Sequence, residues 1–297
     1  LILTGLITLL KHGCMEIQVF PNLSRPGVGQ KPRRESQRPL LPLHSRHCPV
    51  LEAGSGLGFL VYPPLEPNEA VRIEYVGDGK FQFEYFLSTP GGSWETLFIL
   101  MYALPVGSIG MTKEEVTFKV PDPPITEEGA RKIAQTFVIP GDLGTPPGAV
   151  TLRGATGFRT PAGWDTVYGP VLNMIERPFA PMLIVRVETD WYPHESEFRY
   201  VLQPGEWITC EHSMPIGQVY FVPREEITLR ESSEEEIEEI RRGREEFVRE
   251  KAATKIMTRY GLKYSPHYAR VSRSVNNPEV GRAGQGTGAG SEDEPSK

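Results

Sequence analysis

Two runs, Val71–Val76 and Phe81–Leu87, stand either side of Gly77-Asp78-Gly79-Lys80, and no other stretch constrains the fold as much. An Asp-Gly step accepts the positive φ values of a tight turn, so the runs are predicted to be adjacent antiparallel strands. Phe81, Phe83, Tyr85 and Leu87 alternate with Gln82, Glu84 and Phe86, which places one aromatic row on a single sheet face. Short apolar runs broken by Gly and Pro continue from Cys48 to Arg230. They predict further strands at 57–62, 115–120, 149–153, 182–189, 197–202, 206–211 and 216–222. Closely spaced strands of this kind point to a mainly β, antiparallel sandwich or jelly-roll-like single domain over residues 48–230.

Two stretches inside that domain depart from the pattern. Trp94–Leu104 is apolar without a clear period and reads as a buried helix or a strand. Thr126, followed by Glu127 and Glu128, caps a short predicted helix running to Phe137, because a Thr oxygen accepts an orphan N–H and acids suit that end. Gly141–Gly148 is expected to be a loop.

The flanks differ in composition. Residues 1–14 are apolar but too few to span a bilayer. Met15 is followed at once by a strand-like run, so 1–14 are read as lying upstream of the true start. Residues 15–47 form a Pro- and Arg-rich leader, expected to be solvated, with an arm for anionic surfaces as the alternative. No aromatic side chain interleaves its basic stretch to stack on bases, so it carries no specific nucleic-acid signal. Residues 231–262 hold a charged amphipathic helix, with Ser233 and Glu236 as a capping box and Glu238–Arg242 and Glu245–Arg249 as i,i+4 pairs. Its stripe of Ile237, Ile240, Phe247 and Ile256 is expected to bury against the β core; the alternative is a homo-oligomer through residues 233–260. Gly261 is expected to stop the helix, and 263–297 reads as a disordered tail.

A net charge of −6 gives no general attraction to nucleic acid. Three cysteines cannot build a disulfide framework, and an odd number favours a reducing compartment, so a cytoplasmic protein without membrane association is expected.

Polar side chains concentrate around 186–212. Glu188 and Asp190, two apart on a predicted strand, would share a face; buried together, one would be pushed up in pKa to form an acid/base pair. Solvation, or pairing with Arg186 or Arg199, is the other reading. His194, Glu197 and His212 offer imidazole and carboxylate for a divalent metal, although the His194-x-x-Glu197 spacing differs from a cupin element. His44, His47 and Cys48 with Cys210 and His212 are a second, zinc-type combination. No Ser sits within a G-x-S-x-G elbow. Gly54–Gly58 precedes a strand, the wrong order for a phosphate loop, and reads as a flexible turn. Trp164, Tyr168, Trp191, Tyr192 and Trp207, with Arg159, Asn173, Glu188 and Asp190, supply the ingredients of a ligand pocket. No cofactor is predicted beyond a possible divalent metal.

An ordered motif series runs through the same region. It comprises Arg159-Thr160-Pro161-Ala162-Gly163-Trp164, Tyr168-Gly169-Pro170 with Asn173, Glu188-Thr189-Asp190-Trp191, Gly205-Glu206, Pro215-Ile216 and Val222-Pro223-Arg224. Cys48-Pro49, Gly58-Phe59 and Tyr62-Pro63 precede it in order. The series resembles the bacterial family called domain of unknown function 6065, over most of residues 48–230. The chain departs from that family's pattern in lacking a His-Phe-Gly element before Arg159, and in carrying Ser196-Glu197-Phe198-Arg199-Tyr200 where a T-M-N-W run is usual. The resemblance implies one compact β-rich domain and no catalytic assignment. Three functions are therefore in view. The first is a non-catalytic module binding a small ligand or a protein, the second a cupin-like metal-dependent enzyme, and the third a self-assembling structural protein.

Overall fold

The computed structural model describes residues 15–36, 48–103, 113–140, 145–174, 182–257, 261 and 263–276. In chain order its elements begin with β1 (Gln18–Pro21), α1 (Pro49–Ser55), β2 (Phe59–Val61), β3 (Glu69–Gly77), β4 (Lys80–Ser88), β5 (Trp94–Ala103) and β6 (Lys113–Phe118). They continue with α2 (Glu127–Phe137), β7 (Val138–Pro140), β8 (Ala149–Arg159), β9 (Trp164–Gly169), β10 (Met182–Leu183), β11 (Val185–Val187), β12 (His194–Val201), β13 (Trp207–Glu211) and β14 (Gly217–Pro223). After these come α3 (Glu234–Ala253), β15 (Ile256–Met257), β16 (Lys263–Tyr264) and α4 (His267–Asn276). The chain forms two compact units that divide between Glu225 and Glu226.

The first unit is mainly β, and its strand pairings are antiparallel. A meander ordered β13-β3-β4-β5-β6 is built on the predicted hairpin. Asp78 and Gly79 at its tip have φ of 49° and 73°, the pair of positive values a type I′ turn needs. Phe81, Phe83 and Tyr85 are all buried, so the aromatic row does face inward. The ambiguous stretch is strand β5, hydrogen-bonded to β4 on one side and β6 on the other; Leu104 lies outside the described residues. A second sheet runs β1-β8-β12-β10, with β7 also on β8, and a third runs β11-β9-β14-β2. Residues from all three sheets and from α2 (Ala130, Ala134, Phe137) meet in one core. The Thr126 cap on α2 is present, its hydroxyl accepting from the Gly129 N–H at 3.2 Å.

Three expectations for the first unit are corrected. The strand predicted over 182–189 is broken at exposed Ile184: Met182–Leu183 pair with β12 in one sheet and Val185–Val187 with β9 in another. A segment that changes sheets cannot remain one ladder, and periodicity alone carries no sign of the switch. The stretch from Pro49 to Ser55 is helix α1, so Gly54 and Ser55 are not a flexible turn.

The leader, expected to be solvated, is folded against the core as far as it is described. Gln18–Pro21 pair with Thr156–Arg159, and Asn22 is fully buried, donating from its backbone N–H to the Ala155 carbonyl and from its amide to Gly154. Arg25 reaches buried Glu69, while Arg33 and Arg34 stack over the rings of Tyr62 and Phe59, each at 5.2 Å. Half-buried Arg25 offsets its desolvation with the Glu69 ion pair, whereas Arg33 and Arg34 stay exposed, as expected of a solvated leader, and make their ring contacts at the surface. Residues 1–14 and 37–47, with His44 and His47, lie outside the described residues.

In the second unit, α3 starts with the predicted capping box. Its ion pairs are Glu238–Arg241 and Glu246–Arg249, at i,i+3 instead of the expected i,i+4 spacing. The segment read as a disordered tail contains α4, whose His267 packs on Phe247 of α3 with ring centroids 4.7 Å apart. No helix of the described residues is long and apolar enough to cross a membrane.

Candidate binding corner

Three strand ends of the first unit converge. The turn at 160–163 joins β8 to β9, the turn at 188–193 joins β11 to β12, and Arg224 follows β14. Backbone bonds lock them: Thr160 N–H donates to the Thr189 carbonyl at 3.4 Å and Arg224 N–H to the Gly163 carbonyl at 2.8 Å. Beneath lies a buried hydroxyl cluster, with Thr189 Oγ1 2.9 Å from Thr160 Oγ1 and 2.7 Å from Thr166 Oγ1. The R-T-P-A-G-W, E-T-D-W and V-P-R elements, far apart in sequence, thus form one structural corner.

Its electrostatics are organised by Asp165, a carboxylate on β9 that is only 3% exposed. It accepts from Arg186 Nε at 2.6 Å and from Arg224 Nε at 2.9 Å and Nη2 at 2.5 Å. Burial pushes the Asp165 carboxyl up, but bonds from Arg224 and Arg186 outweigh it and hold it below the ordinary value. Arg224 Nη2 also donates to Asp190 at 2.7 Å, and Glu188 stands 3.8 Å from Nη1. The Arg224 bond, with the Gly163 N–H at 2.9 Å, draws Asp190 down to about 2.

Of the two readings of Glu188 and Asp190, the acid/base pair is not formed and ion pairing is. The strand ends at Val187, so Glu188 and Asp190 lie in a turn, and their partner is Arg224, neither Arg186 nor Arg199. Asp165 and Asp190, ionised and occupied at neutral pH, offer no proton to a substrate. Asp165→Asn should destabilise the fold by about 2 kcal/mol in urea unfolding at pH 7, through lost charge-assisted bonds. Because the folded-state value is depressed, the Asp165 contribution is present above 3.8 and fades as pH falls through the folded value. Wild type and variant should therefore converge in acid.

The aromatic ingredients divide. Trp191 is 69% exposed and Tyr192 51%. The Trp191 indole N–H donates to Glu188 and its backbone N–H to Asp190 at 3.0 Å, which fixes the ring outward. Tyr192 follows at 5.9 Å and His194 at 5.2 Å beyond it, centroid to centroid. Half-buried Trp164 opens β9 at the same corner. Tyr168 is in the core, edge-on to Phe198, where burial pushes its hydroxyl up. Asn173 ties α1 down by donating to Ser55 Oγ at 3.0 Å and the Leu51 carbonyl at 3.3 Å. Arg159 is exposed at the end of β8, paired in register with Gln18. Trp207 belongs to another sheet, under the Arg72 guanidinium at 4.7 Å.

The metal-ligand candidates are not assembled. Glu197 faces Arg153, His212 Nδ1 donates to the Leu65 carbonyl at 2.6 Å, and His194 sits at the aromatic row. Cys210 is buried in the core. Among the described residues no three His, Cys, Asp or Glu side chains gather as a metal site. Sequence reasoning passed over Asp165 as a site residue and took Arg224 only as a motif end; the one available signal was that both fall at strand ends inside the motif series. No protein-family model matches the chain, and neither does any curated protein sequence.

Proposed function

We propose that this chain is a non-catalytic, cytoplasmic binding module of the domain-of-unknown-function-6065 type, and that it takes its ligand on the Trp191–Tyr192–His194 row. One observation carries the reading: Trp191 is largely exposed while Glu188 accepts from its indole N–H and Asp190 from its backbone N–H. An exposed, pre-organised aromatic ring contacts a ligand at little cost in conformational entropy. The charges around it are nearly balanced, two Arg against three carboxylates, and already engaged with each other. A ligand with a neutral flat or apolar face, on a small molecule or a protein, suits that surface better than a strongly charged one.

The test is a screen of immobilised oligosaccharides and peptides against the full chain, read by the indole N–H resonances of its four Trp residues. Trp191→Ala should weaken any captured ligand at least about tenfold, a normal loss for an interface aromatic, and Tyr192→Ala somewhat less. Trp207→Ala, also exposed but in a sheet away from this row, should leave affinity unchanged. Equal losses at Trp191 and Trp207 would overturn the placement.

A further inference from the structure

In the second unit, the stripe residue Phe247 of α3 is covered by α4, where His267 Nε2 also lies 3.3 Å from Glu250. The earlier half of the stripe is not: Ile237 is 46% exposed and Ile240 63%. Two isoleucines one turn apart make an apolar knob flanked by charge. Next along the same side stands Gly243, with open space where a side chain would be. A Gly inside an exposed helix costs about 1 kcal/mol against Ala, so its presence favours a role in close approach.

We propose that α3 pairs antiparallel with α3 of a second copy, Ile237 of each chain packing on Ile240 of the other. The charge pattern of the helix selects this arrangement. Glu234 and Arg241 lie two turns apart on the same flank of the stripe. In the antiparallel register each Glu234 stands beside Arg241 of the second copy, twice by symmetry, and Gly243 comes opposite Glu236, where it lets the helices approach. A parallel pair would instead stack Arg244 on Arg244 within the stripe and set the Glu234-Glu235-Glu236 first turns side by side. Within its own helix Arg241 already holds Glu238, and Glu236 is engaged by Arg230 and the cap, so the intermolecular contacts add to satisfied charges. With two Ile layers and two flanking ion pairs, the dimer is weak: it forms at high concentration and is loosened by salt.

Sedimentation equilibrium of the full chain in low salt, up to about 1 mM, tests the pairing. A monomer–dimer equilibrium is expected, abolished by Ile240→Glu. Glu234→Arg and Arg241→Glu, each alone, should weaken the dimer about tenfold, equivalent to 1.4 kcal/mol. Mixing these two single variants should restore wild-type association as a heterodimer, and so should the double variant Glu234→Arg/Arg241→Glu as a homodimer. Circular dichroism of each variant checks that α3 persists, and the double variant keeps the test decisive if a single one unfolds the helix. A chain that stays monomeric throughout, with the stripe turned to its own molecule, overturns the proposal. A dimer indifferent to Ile240, or swaps that fail to complement, overturns it equally.

Discussion

Arg25→Met should destabilise the protein by about 3 kcal/mol or more, the usual consequence of leaving a buried charge without its partner. Arg25 grips Glu69 with both guanidinium nitrogens, at 2.7 and 2.9 Å, and ties the leader to the Pro64 carbonyl at 2.9 Å. The Glu69 carboxylate is almost wholly buried and also accepts from the Tyr85 hydroxyl at 2.5 Å and the Glu66 N–H at 2.7 Å. Burial pushes the Glu69 carboxyl up, but Arg25, the Glu66 N–H and Tyr85 together hold it below its ordinary 4.5. A depressed folded-state value means that the triad stabilises above 4.5 and loses that contribution as pH falls through the folded value. In Arg25→Met the burial effect is less opposed, so Glu69 titrates higher and becomes neutral early in the descent. The gap between wild type and variant should therefore be widest near pH 7 and close in acid. Urea unfolding at the two ends of that range measures it. Arg25→Met/Glu69→Gln should recover part of the loss, since it removes the stranded charge. A gap that does not change with pH would mean that Arg25 acts through packing on Phe137, whose ring centroid lies 5.5 Å below its guanidinium.

What the sequence disclosed follows from which forces are local. The hairpin at 77–80, the Thr126 cap and the Ser233–Glu236 box are set by residues within a few positions of each other, and all are present. The alternation of Phe81, Phe83 and Tyr85 fixes a face because the strand period is local too. Charge gave the opposite result. Arg25 looks like part of a solvated arm until its partner Glu69 is known, and that residue lies 44 positions away in the chain. The corner behaves in the same way. Glu188, Asp190 and Trp191 do gather, but the carboxylates face Arg224 and not each other. That depends on β14 ending beside the 160–163 turn, a tertiary fact. Tyr168 carries a side chain equally suited to a pocket or a core, and only burial assigns it to the core, while half-buried Asn173 is taken up by bonds to α1. His194, Glu197 and His212 were joined by residue type alone, while a metal site needs convergent positions, which strand register did not supply.

Gly58→Ala should cost well over 4 kcal/mol and leave little folded protein, although the substitution adds one methyl group. Gly58 stands immediately before β2 with φ of +72°, in the left-handed region where an L residue loses roughly 1–2 kcal/mol. The larger cost is steric. A Cβ there would lie 1.9 Å from the Val219 carbonyl oxygen and 2.9 Å from its carbon. Those atoms belong to the backbone of β14, which pairs Val219 with Phe59, so no side chain can rotate aside and the two strands must separate. Their separation would also disturb the core that buried Val61 and Val219 line from this sheet. Gly92→Ala is the matching control: its φ is +80°, yet nothing lies within 4 Å of the new methyl. It should therefore show the backbone penalty alone, about 1–2 kcal/mol. Thermal unfolding of both variants separates the two effects. A large loss at Gly58 with a small one at Gly92 assigns the glycine of the Gly58-Phe59 motif to close strand approach, and not to the flexible turn its Gly-rich surroundings suggest. Similar small losses would show that β14 yields at Val219 and that this sheet edge is softer than its ladder of bonds implies.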